Sequence, residues 1–217
     1  MSKTTSDEKS NTGKDPVQAN LPLTGQQKQR EIILATASGG MAIALSTILS
    51  LLILWPPMLQ GGSITAASML PLVFFALAFG PAWGIGAGAA HGILQYIINP
   101  QATNFASFVL DYPVAFGLLG LAGFFAARRV SRSTTTNVLR RVGMVPLWRV
   151  VTGAIIACAG RFACHTLSGV IFYAMYAGDQ NVWIYSVIYN GTYMLPETIL
   201  TTILLVPLAA IFRQRRI

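Results

Sequence analysis

Residues 182–212, VWIYSVIYNGTYMLPETILTTILLVPLAAIF, decide the fold, because this long apolar stretch contains a single charged side chain, that of Glu197. A helix needs about 20 apolar residues to cross a hydrocarbon core roughly 30 Å thick. The stretch exceeds that length. It therefore predicts a transmembrane helix close to the end of the chain.

The rest of the chain shares this apolar character. Of its 217 residues, 53% are hydrophobic and 10% are charged, with a mean hydropathy of +0.57, which is too apolar for an ordinary water-soluble domain. We therefore predict an all-α membrane protein with six transmembrane helices, which leaves no room for a large catalytic domain outside the bilayer. The five spans that precede the last one are residues 30–54, 67–79, 82–98, 104–127 and 148–176.

The organisation of the chain follows from the same pattern. Residues 1–27 are polar and charged with almost no apolar content, and they are predicted to form a disordered cytoplasmic tail. Residues 28–217 are predicted to form the six-helix transmembrane domain. The second and third spans are short, and the Gly80-Pro81 turn between them predicts a tight helical hairpin or a pair partly set in a water-filled cavity. Residues 55–63, rich in Pro and Gly, predict an irregular, lid-like loop.

The positive charge predicts the orientation of the chain. The formal net charge of +8 would suggest a nucleic-acid partner in a soluble protein, but here the cations lie at the ends of spans, as cytoplasmic flanks do. With six crossings, all of them fall on one side. We therefore predict no nucleic-acid partner, both termini in the cytoplasm, and a multi-pass protein of the bacterial cytoplasmic membrane. The three groups of cations are Lys28 and Arg30; Arg128, Arg129, Arg132, Arg140, Arg141 and Arg149; and Arg213, Arg215 and Arg216.

Ionisable side chains inside the spans are few, costly and usually functional. In the fifth span four residues recur at intervals of four, from Arg161 to Tyr173, which places them along one stripe of the helix. Together with polar residues of the fourth and sixth spans, they predict a site for a small, flat, partly cationic ligand, because aromatic rings stack on such a ligand and Asp111 balances its charge. The predicted binding residues are Asp111, Tyr112, Arg161, His165, Gly169, Tyr173, Tyr185 and Asn190.

Several residues admit a second interpretation. Arg161 is predicted either to contact the ligand or to neutralise Asp111 or Glu197. Ser168 has no Gly-x-Ser-x-Gly surroundings and no paired base, so we predict no enzyme and no catalytic residue. The chain contains no Walker A motif for ATP hydrolysis and no metal-ligand spacing, so we predict no metal and no cofactor.

The first span carries small residues four apart, a surface that allows another helix to approach closely. Two interpretations are open: internal packing against the protein's own helices, or docking of a partner protein. The candidate docking residues are Ala35, Gly39, Gly40, Ala42 and Ala44.

Three motifs, in order along the chain, resemble a known family: GSITAASMLP at 62–71, LDYPVAFGLLGLAG at 110–123 and RFACHTLSGVIFY at 161–173. The chain is similar to the thiamine-specific substrate-binding subunit, or S component, of energy-coupling factor (ECF) transporters. That resemblance covers nearly the whole chain after residue 27. It implies a six-helix S component that captures thiamine from outside with high affinity, closed by the loop between the first two spans.

The resemblance also implies roles for residues and partners. Asp111 and Tyr112 would contact the aminopyrimidine ring. The thiazolium ring would lie among His165, the backbone at Gly169 and the ring of Tyr173. The small-residue face of the first span would dock a shared membrane coupling subunit, which rests on two ATPases that hydrolyse ATP. The last span would add Tyr185 and Asn190.

The chain departs from the family pattern at identifiable positions. Asp111 stands where some members have Glu, Tyr173 where some have Trp, and Arg161 where some have Lys. Some members also carry a stacking aromatic residue in the first loop, where this chain has Gln60 and Gly61. These differences bear on affinity more than on the identity of the ligand.

Two other classes of function stay open at this stage. The first is an ion-coupled secondary transporter for a small aromatic cation or a related vitamin precursor, with Asp111, Arg161 and Glu197 as a proton relay. The second is a membrane sensor or scaffold whose cytoplasmic loop, residues 128–149, recruits a partner.

Overall fold

The computed structural model describes residues 24–55, 58–126 and 135–214, and this part of the chain is mostly helical. A two-stranded antiparallel hairpin follows the first helix, with β1 at Ile53–Trp55 and β2 at Ile64–Thr65. A short 3₁₀ turn, Ala174–Ala177, precedes the last helix. The helices are α1 (Gly25–Leu51), α2 (Leu70–Phe79), α3 (Pro81–Ile98), α4 (Phe105–Phe125), α5 (Val138–Gly143), α6 (Leu147–Phe172) and α7 (Val182–Gln214).

Four of these helices, α1, α4, α6 and α7, are long and apolar enough to cross a membrane. The chain is therefore a multi-pass membrane protein. The second predicted span behaves differently: α2 has ten residues, about 15 Å of helix, which is half the thickness of the hydrocarbon core. Eight of its residues are buried, so it forms the centre of the protein core.

The turn between α2 and α3 is the one that the sequence predicts. Gly80 has a φ of +91°, a conformation that favours glycine, and Pro81 begins α3 at a position where its missing N–H costs nothing. The two helices consequently form a tight hairpin, as expected from the Gly80-Pro81 pair.

The helix α1 begins earlier than predicted. Thr24 caps it, since its side chain accepts a hydrogen bond from the Gln27 N–H while the Gln27 side chain accepts one from the Thr24 N–H. Residues 25–27 thus belong to the helix and not to the predicted tail, whose first 23 residues lie outside the described part of the chain.

The middle of α4 departs from α-helical geometry around Pro113. Proline cannot donate a backbone hydrogen bond and its ring clashes with the preceding turn, so it interrupts the regular α-helical pattern. The structure contains a π-helical turn there, Leu110–Val114, and the last part of the helix, Leu118–Phe125, has 3₁₀ geometry. That turn carries Asp111 and Tyr112, two of the predicted binding residues.

Glycines bring α3 against this turn. A Cβ atom at Gly92 would lie 2.3 Å from the Tyr112 carbonyl oxygen, and one at Gly88 would lie 2.2 Å from that of Phe116. Both distances are below van der Waals contact, so the two backbones touch only because these residues have no side chain. The position of the π-helical turn therefore depends on the sequence of α3.

A short helix in the loop between the fourth and fifth spans was not predicted. It is anchored by Arg141, which is buried and forms a two-pronged ion pair with Glu31 of α1, with Nη2 and Oε2 2.6 Å apart. The guanidinium also lies 4.9 Å from the Phe79 ring centroid. Arg141 is thus a structural cation, whereas Arg140 is exposed. The predicted cations Arg128, Arg129, Arg132, Arg215 and Arg216 lie outside the described residues.

The contact between α3 and α4 generates a stability prediction. Gly92→Ala would force the two backbones apart, and we expect it to lower the free energy of unfolding by about 1–3 kcal/mol. Gly86→Ala on the same helix is the control, because nothing lies within 4 Å of a Cβ there and alanine has the higher helix propensity. Thermal unfolding in detergent measures both. Equal midpoints for the two variants would contradict the close approach.

Candidate binding site

A cavity of about 130 Å³ lies between the ends of α3, α4, α6 and α7, beneath the loop that follows α1. Seven of the eight predicted binding residues line it; Tyr185 does not. Their role in binding stays a prediction, but the structure brings them to one place. The seven are Asp111, Tyr112, Arg161, His165, Gly169, Tyr173 and Asn190.

The carboxylate of Asp111 has three hydrogen-bond partners at the cavity. Its Oδ2 accepts from the Ser168 hydroxyl at 2.6 Å and from the Ser107 hydroxyl at 3.2 Å, and its Oδ1 lies 3.1 Å from His165 Nδ1. Ser168 of α6 thus donates to a carboxylate that α4 supplies. The three donors stabilise a negative charge that faces the cavity.

The protonation of His165 follows from its neighbours. The Arg161 Nε–H, which can only donate, lies 3.3 Å from His165 Nε2, so Nε2 accepts and the ring proton is assigned to Nδ1. His165 Nδ1–H then donates to Asp111. The imidazole is neutral in this arrangement, so Asp111 keeps a net negative charge toward the cavity.

Arg161 forms neither of the ion pairs that were considered for it. Within the described part of the chain, its guanidinium has no salt bridge to Asp111 or Glu197. It instead lies 4.0 Å from the ring centroid of Phe116, in cation–π geometry, and lines the cavity. Its positive charge is thereby placed on the wall of the site.

Two tyrosines hold the loop between α3 and α4 over the cavity. The Tyr112 hydroxyl donates to the Asn99 carbonyl at 2.7 Å and accepts from the Gln101 N–H at 2.9 Å. The Tyr173 hydroxyl donates to the Gln101 carbonyl at 2.8 Å. Both rings therefore shape the wall of the cavity as well as offering aromatic surface to it.

Asn190 and Gly169 mark the contact of α6 with α7. A Cβ atom at Gly169 would lie 2.1 Å from the Ser186 hydroxyl oxygen, so only glycine permits this approach. The Asn190 amide donates to the Ser186 carbonyl at 2.9 Å and its oxygen accepts from the Tyr193 hydroxyl at 2.7 Å. These hydrogen bonds within the chain therefore fix the orientation of the Asn190 side chain at the cavity.

The aromatic residues that α7 contributes are mostly ones the sequence analysis did not select. Tyr189 and Tyr193 line the cavity, while Tyr185 stacks on Tyr189 with their ring centroids 6.0 Å apart. The Gln60 N–H donates to the Tyr189 hydroxyl at 2.9 Å and its side-chain amide donates to that of Tyr185 at 3.1 Å. The spacing of these three tyrosines, one every four residues, was a signal that could have found them.

The loop after α1 lines the cavity directly. Gly62 lies against the Tyr193 ring, since a Cβ there would be 2.6 Å from it. The loop thus covers the site with polar and glycine residues and not with an aromatic ring, in agreement with its sequence. Residues that line the cavity without having been predicted to do so include Gln60, Gly61, Gly62, Gln95, Asn99, Gln101, Phe116, Tyr189 and Tyr193.

Burial divides the candidate docking residues of α1 into two groups. Ala35, Gly39 and Ala42 are buried inside the chain, and a Cβ at Gly39 would lie 3.2 Å from the Phe75 ring. These three residues pack against the protein's own core and are closed to a partner. Gly40 and Ala44 are exposed, because they lie roughly 130° and 170° around the helix from the centre of that buried face.

The described residues contain no group of three His, Cys, Asp or Glu side chains that could hold a metal ion. The cavity offers hydrogen-bonding groups, the carboxylate of Asp111, the guanidinium of Arg161 and aromatic surface.

Comparisons with known proteins agree on one family. The family model described as "Thiamine transporter protein" matches residues 36–216. Thiamine transporter ThiT of Bacillus subtilis is 33% identical over 179 residues, covering 81% of this chain and 86% of that protein. ThiT of Lacticaseibacillus paracasei is 30% identical over 186 residues, covering 82% and 86%.

The fold agrees as well. A solved structure of ThiT from Listeria monocytogenes aligns with a TM-score of 0.63 at 21% identity, covering 84% of this chain and 94% of that one. The resemblance that the three sequence motifs indicated is confirmed, and the chain belongs to the thiamine transporter family.

Proposed function

We propose that this chain is the high-affinity thiamine-binding subunit, or S component, of an ECF-type vitamin transporter in a bacterial cell membrane. It captures thiamine from outside and delivers it with a shared coupling subunit and two ATPases. The observation that carries the proposal is the charge of Asp111, held toward an aromatic cavity by a neutral histidine and two hydroxyls. The curated relatives bear the name of thiamine transporters.

The groups around the cavity match the chemistry of thiamine. Its aminopyrimidine ring carries an amino group that donates hydrogen bonds, and Asp111 is the acceptor with spare lone pairs. Its thiazolium ring is a flat cation, which the faces of Tyr173, Tyr189 and Phe116 suit. Because His165 is neutral, it does not repel a cationic ligand. The guanidinium of Arg161 does carry a positive charge, and it forms a cation–π contact with the Phe116 ring.

The proposed topology has six crossings with both termini in the cytoplasm. The exposed cations Lys28, Arg30, Arg140 and Arg213 lie at the start of α1, in α5 and at the end of α7, which is the end away from the cavity. The cavity is formed by the loop after α1, the end of α3, the C-terminal half of α6 and the N-terminal half of α7, among others. This polarity supports a cytoplasmic cationic end and an outward-facing site.

The energy for uptake comes from outside this chain in the proposed mechanism. No cofactor and no catalytic activity are assigned to it, because ATP is hydrolysed by the partner ATPases. The exposed part of α1 around Gly40 and Ala44 is where the coupling subunit would dock, since small residues allow close helix approach.

Direct binding tests the site. We expect Asp111→Ala and His165→Ala to raise the Kd for thiamine by tenfold or more, because each removes a charged or charge-orienting group worth about 1.5–3 kcal/mol. Trp148→Ala is the control, since Trp148 is exposed at the opposite end of α6. Isothermal titration calorimetry of detergent-purified protein gives the constants, with riboflavin and biotin as ligands that should not bind. Equal, small effects from all three substitutions would remove the site assignment.

Uptake in cells that contain the partner subunits tests the docking surface. Gly40→Leu should leave thiamine binding unchanged and reduce uptake several-fold, because the added side chain separates two closely packed helices. Gly86→Leu is the matched control, as Gly86 is also exposed with nothing within 4 Å. If both variants transport thiamine at the normal rate, the surface around Gly40 is not the docking site.

Proteoliposomes separate the proposal from its alternative. The purified chain alone should bind thiamine without accumulating it inside vesicles, whatever pH gradient is imposed. Accumulation that follows the pH gradient would favour the ion-coupled secondary transporter, for which buried Glu197 and Asp111 are the candidate proton carriers.

A further inference from the structure

The two ends of the helices differ in charge. The candidate site and an adjoining cavity of about 290 Å³ lie toward one end, where the turn between α6 and α7 carries Asp179. At the opposite end, Glu31 is the one acidic side chain that the structure describes. Besides Arg141, five cations lie at that opposite end: Lys28, Arg30, Arg140, Arg149 and Arg213.

The positive charge of these five side chains is not neutralised by the part of the chain that the structure describes. Glu31 already forms the two-pronged ion pair with Arg141, and none of the five cations forms a salt bridge with a described residue. Four of them are exposed, and Arg149 is partly exposed. A surface with one sign of charge attracts ions of the opposite sign, so this end of the protein favours an anionic partner.

Exposed apolar side chains lie beside the cations. Trp148 is 63% exposed, and the Arg149 guanidinium lies 5.2 Å from the centroid of its ring. An acidic protein or a nucleic acid needs the charge alone, whereas a phospholipid presents an anionic headgroup and apolar chains side by side. The pairing therefore favours a lipid. The exposed apolar residues within two positions of a cation are Ile32, Leu139, Trp148 and Ile211.

The short helix α5 gives this surface a fixed geometry. Its buried Arg141 attaches it to α1 and α2. Its last residue touches α7, because a Cβ atom at Gly143 would lie 2.7 Å from the Phe212 carbonyl carbon. Arg140 lies one turn before Gly143, and Arg213 follows Phe212, so two elements in direct contact carry these two cations. A partner that binds both of them does not have to bring the elements together first.

We propose that a basic–apolar surface, formed by Leu139, Arg140, Trp148, Arg149 and Arg213, binds an anionic phospholipid. The arginines donate hydrogen bonds to the phosphate, for which the guanidinium group is well suited. The acyl chains lie along the exposed apolar side chains of α6 and α7. In the proposed topology this lipid belongs to the cytoplasmic leaflet, and the inference does not depend on which ligand the candidate site takes.

The binding of two lipids with the same acyl chains tests the proposal. Native mass spectrometry of detergent-purified protein, titrated with phosphatidylglycerol or phosphatidylcholine, gives a Kd for each. We expect phosphatidylglycerol to bind the unmodified protein tenfold or more tightly than phosphatidylcholine. Arg140→Gln combined with Arg213→Gln should weaken phosphatidylglycerol binding roughly tenfold and leave phosphatidylcholine binding nearly unchanged, because each cation at the headgroup contributes several-fold to the affinity.

A variant with the same change of net charge at the other end is the matched control. Gln180→Glu combined with Asn181→Asp also lowers the net charge by two, and both positions are exposed. The aspartate keeps the oxygen that caps α7, which now accepts from the Trp183 N–H at 3.0 Å. Phosphatidylglycerol binding should stay within about twofold in this control. Equal weakening in the two double variants, or equal affinity of the unmodified protein for the two lipids, would overturn the proposal.

A second measurement needs no variant and separates the lipid from its headgroup. Phosphatidylglycerol should raise the midpoint of thermal unfolding of the unmodified protein by several degrees, because a ligand of the folded state stabilises it. Glycerol 3-phosphate at the same concentration should leave the midpoint unchanged. Equal shifts would make the surface a site for small anions and would overturn the lipid proposal. It would also be overturned if phosphatidylglycerol had no effect while the arginine double variant lost uptake in cells that contain the partner subunits, since the surface would then bind a protein.

Discussion

The carboxylate of Asp111 lies where a charge is costly, and its hydrogen bonds to Ser107, Ser168 and His165 impose conditions on α4 and α6. To meet α6, the middle of α4 has to turn its polar residues inward, and the π-helical turn at Pro113 does this. The π-helical turn can lie against α3 only because Gly88 and Gly92 have no side chain. A single partly buried charge thus couples the irregular geometry of α4 to the glycines of its neighbour.

The opposite wall of the site is organised by a row of α7 residues that contact the loop after α1. Tyr185 and Tyr189 bind Gln60, Tyr193 packs on Gly62, and Glu197 holds Thr65. The loop is therefore attached along three turns of one helix. The loop residues that cover the site are Gln60, Gly61 and Gly62, so the site is closed by close packing and hydrogen bonds and not by an aromatic ring of the loop.

Much of this architecture could be predicted from the sequence. Hydropathy located every helix of membrane-spanning length, the Gly80-Pro81 pair predicted the hairpin of α2 and α3, and rare polar residues inside apolar stretches marked most of the site. These signals are local and strong, because a bilayer penalises each misplaced polar group.

Other features depend on contacts that no local pattern encodes. Small residues cover more than one face of α1, so nothing in the sequence tells which face meets Phe75 and which remains exposed. The helix α5 exists because Arg141 reaches Glu31, 110 positions away along the chain. The spacing in the sequence also could not tell that Tyr189 lines the cavity and Tyr185 does not, because residues four apart lie on the same face of a helix.

Polar and apolar groups are separated along the length of the helices. Both cavities lie toward one end of the helices, and the fully apolar α2 occupies the centre, with Leu72, Val73 and Leu77 almost completely buried. At the other end, the Arg141–Glu31 pair joins α5 to α1. A tightly packed centre resists opening, because a close-packed core changes shape only in discrete rearrangements. The two cavities are therefore formed beside a tightly packed core and not within it.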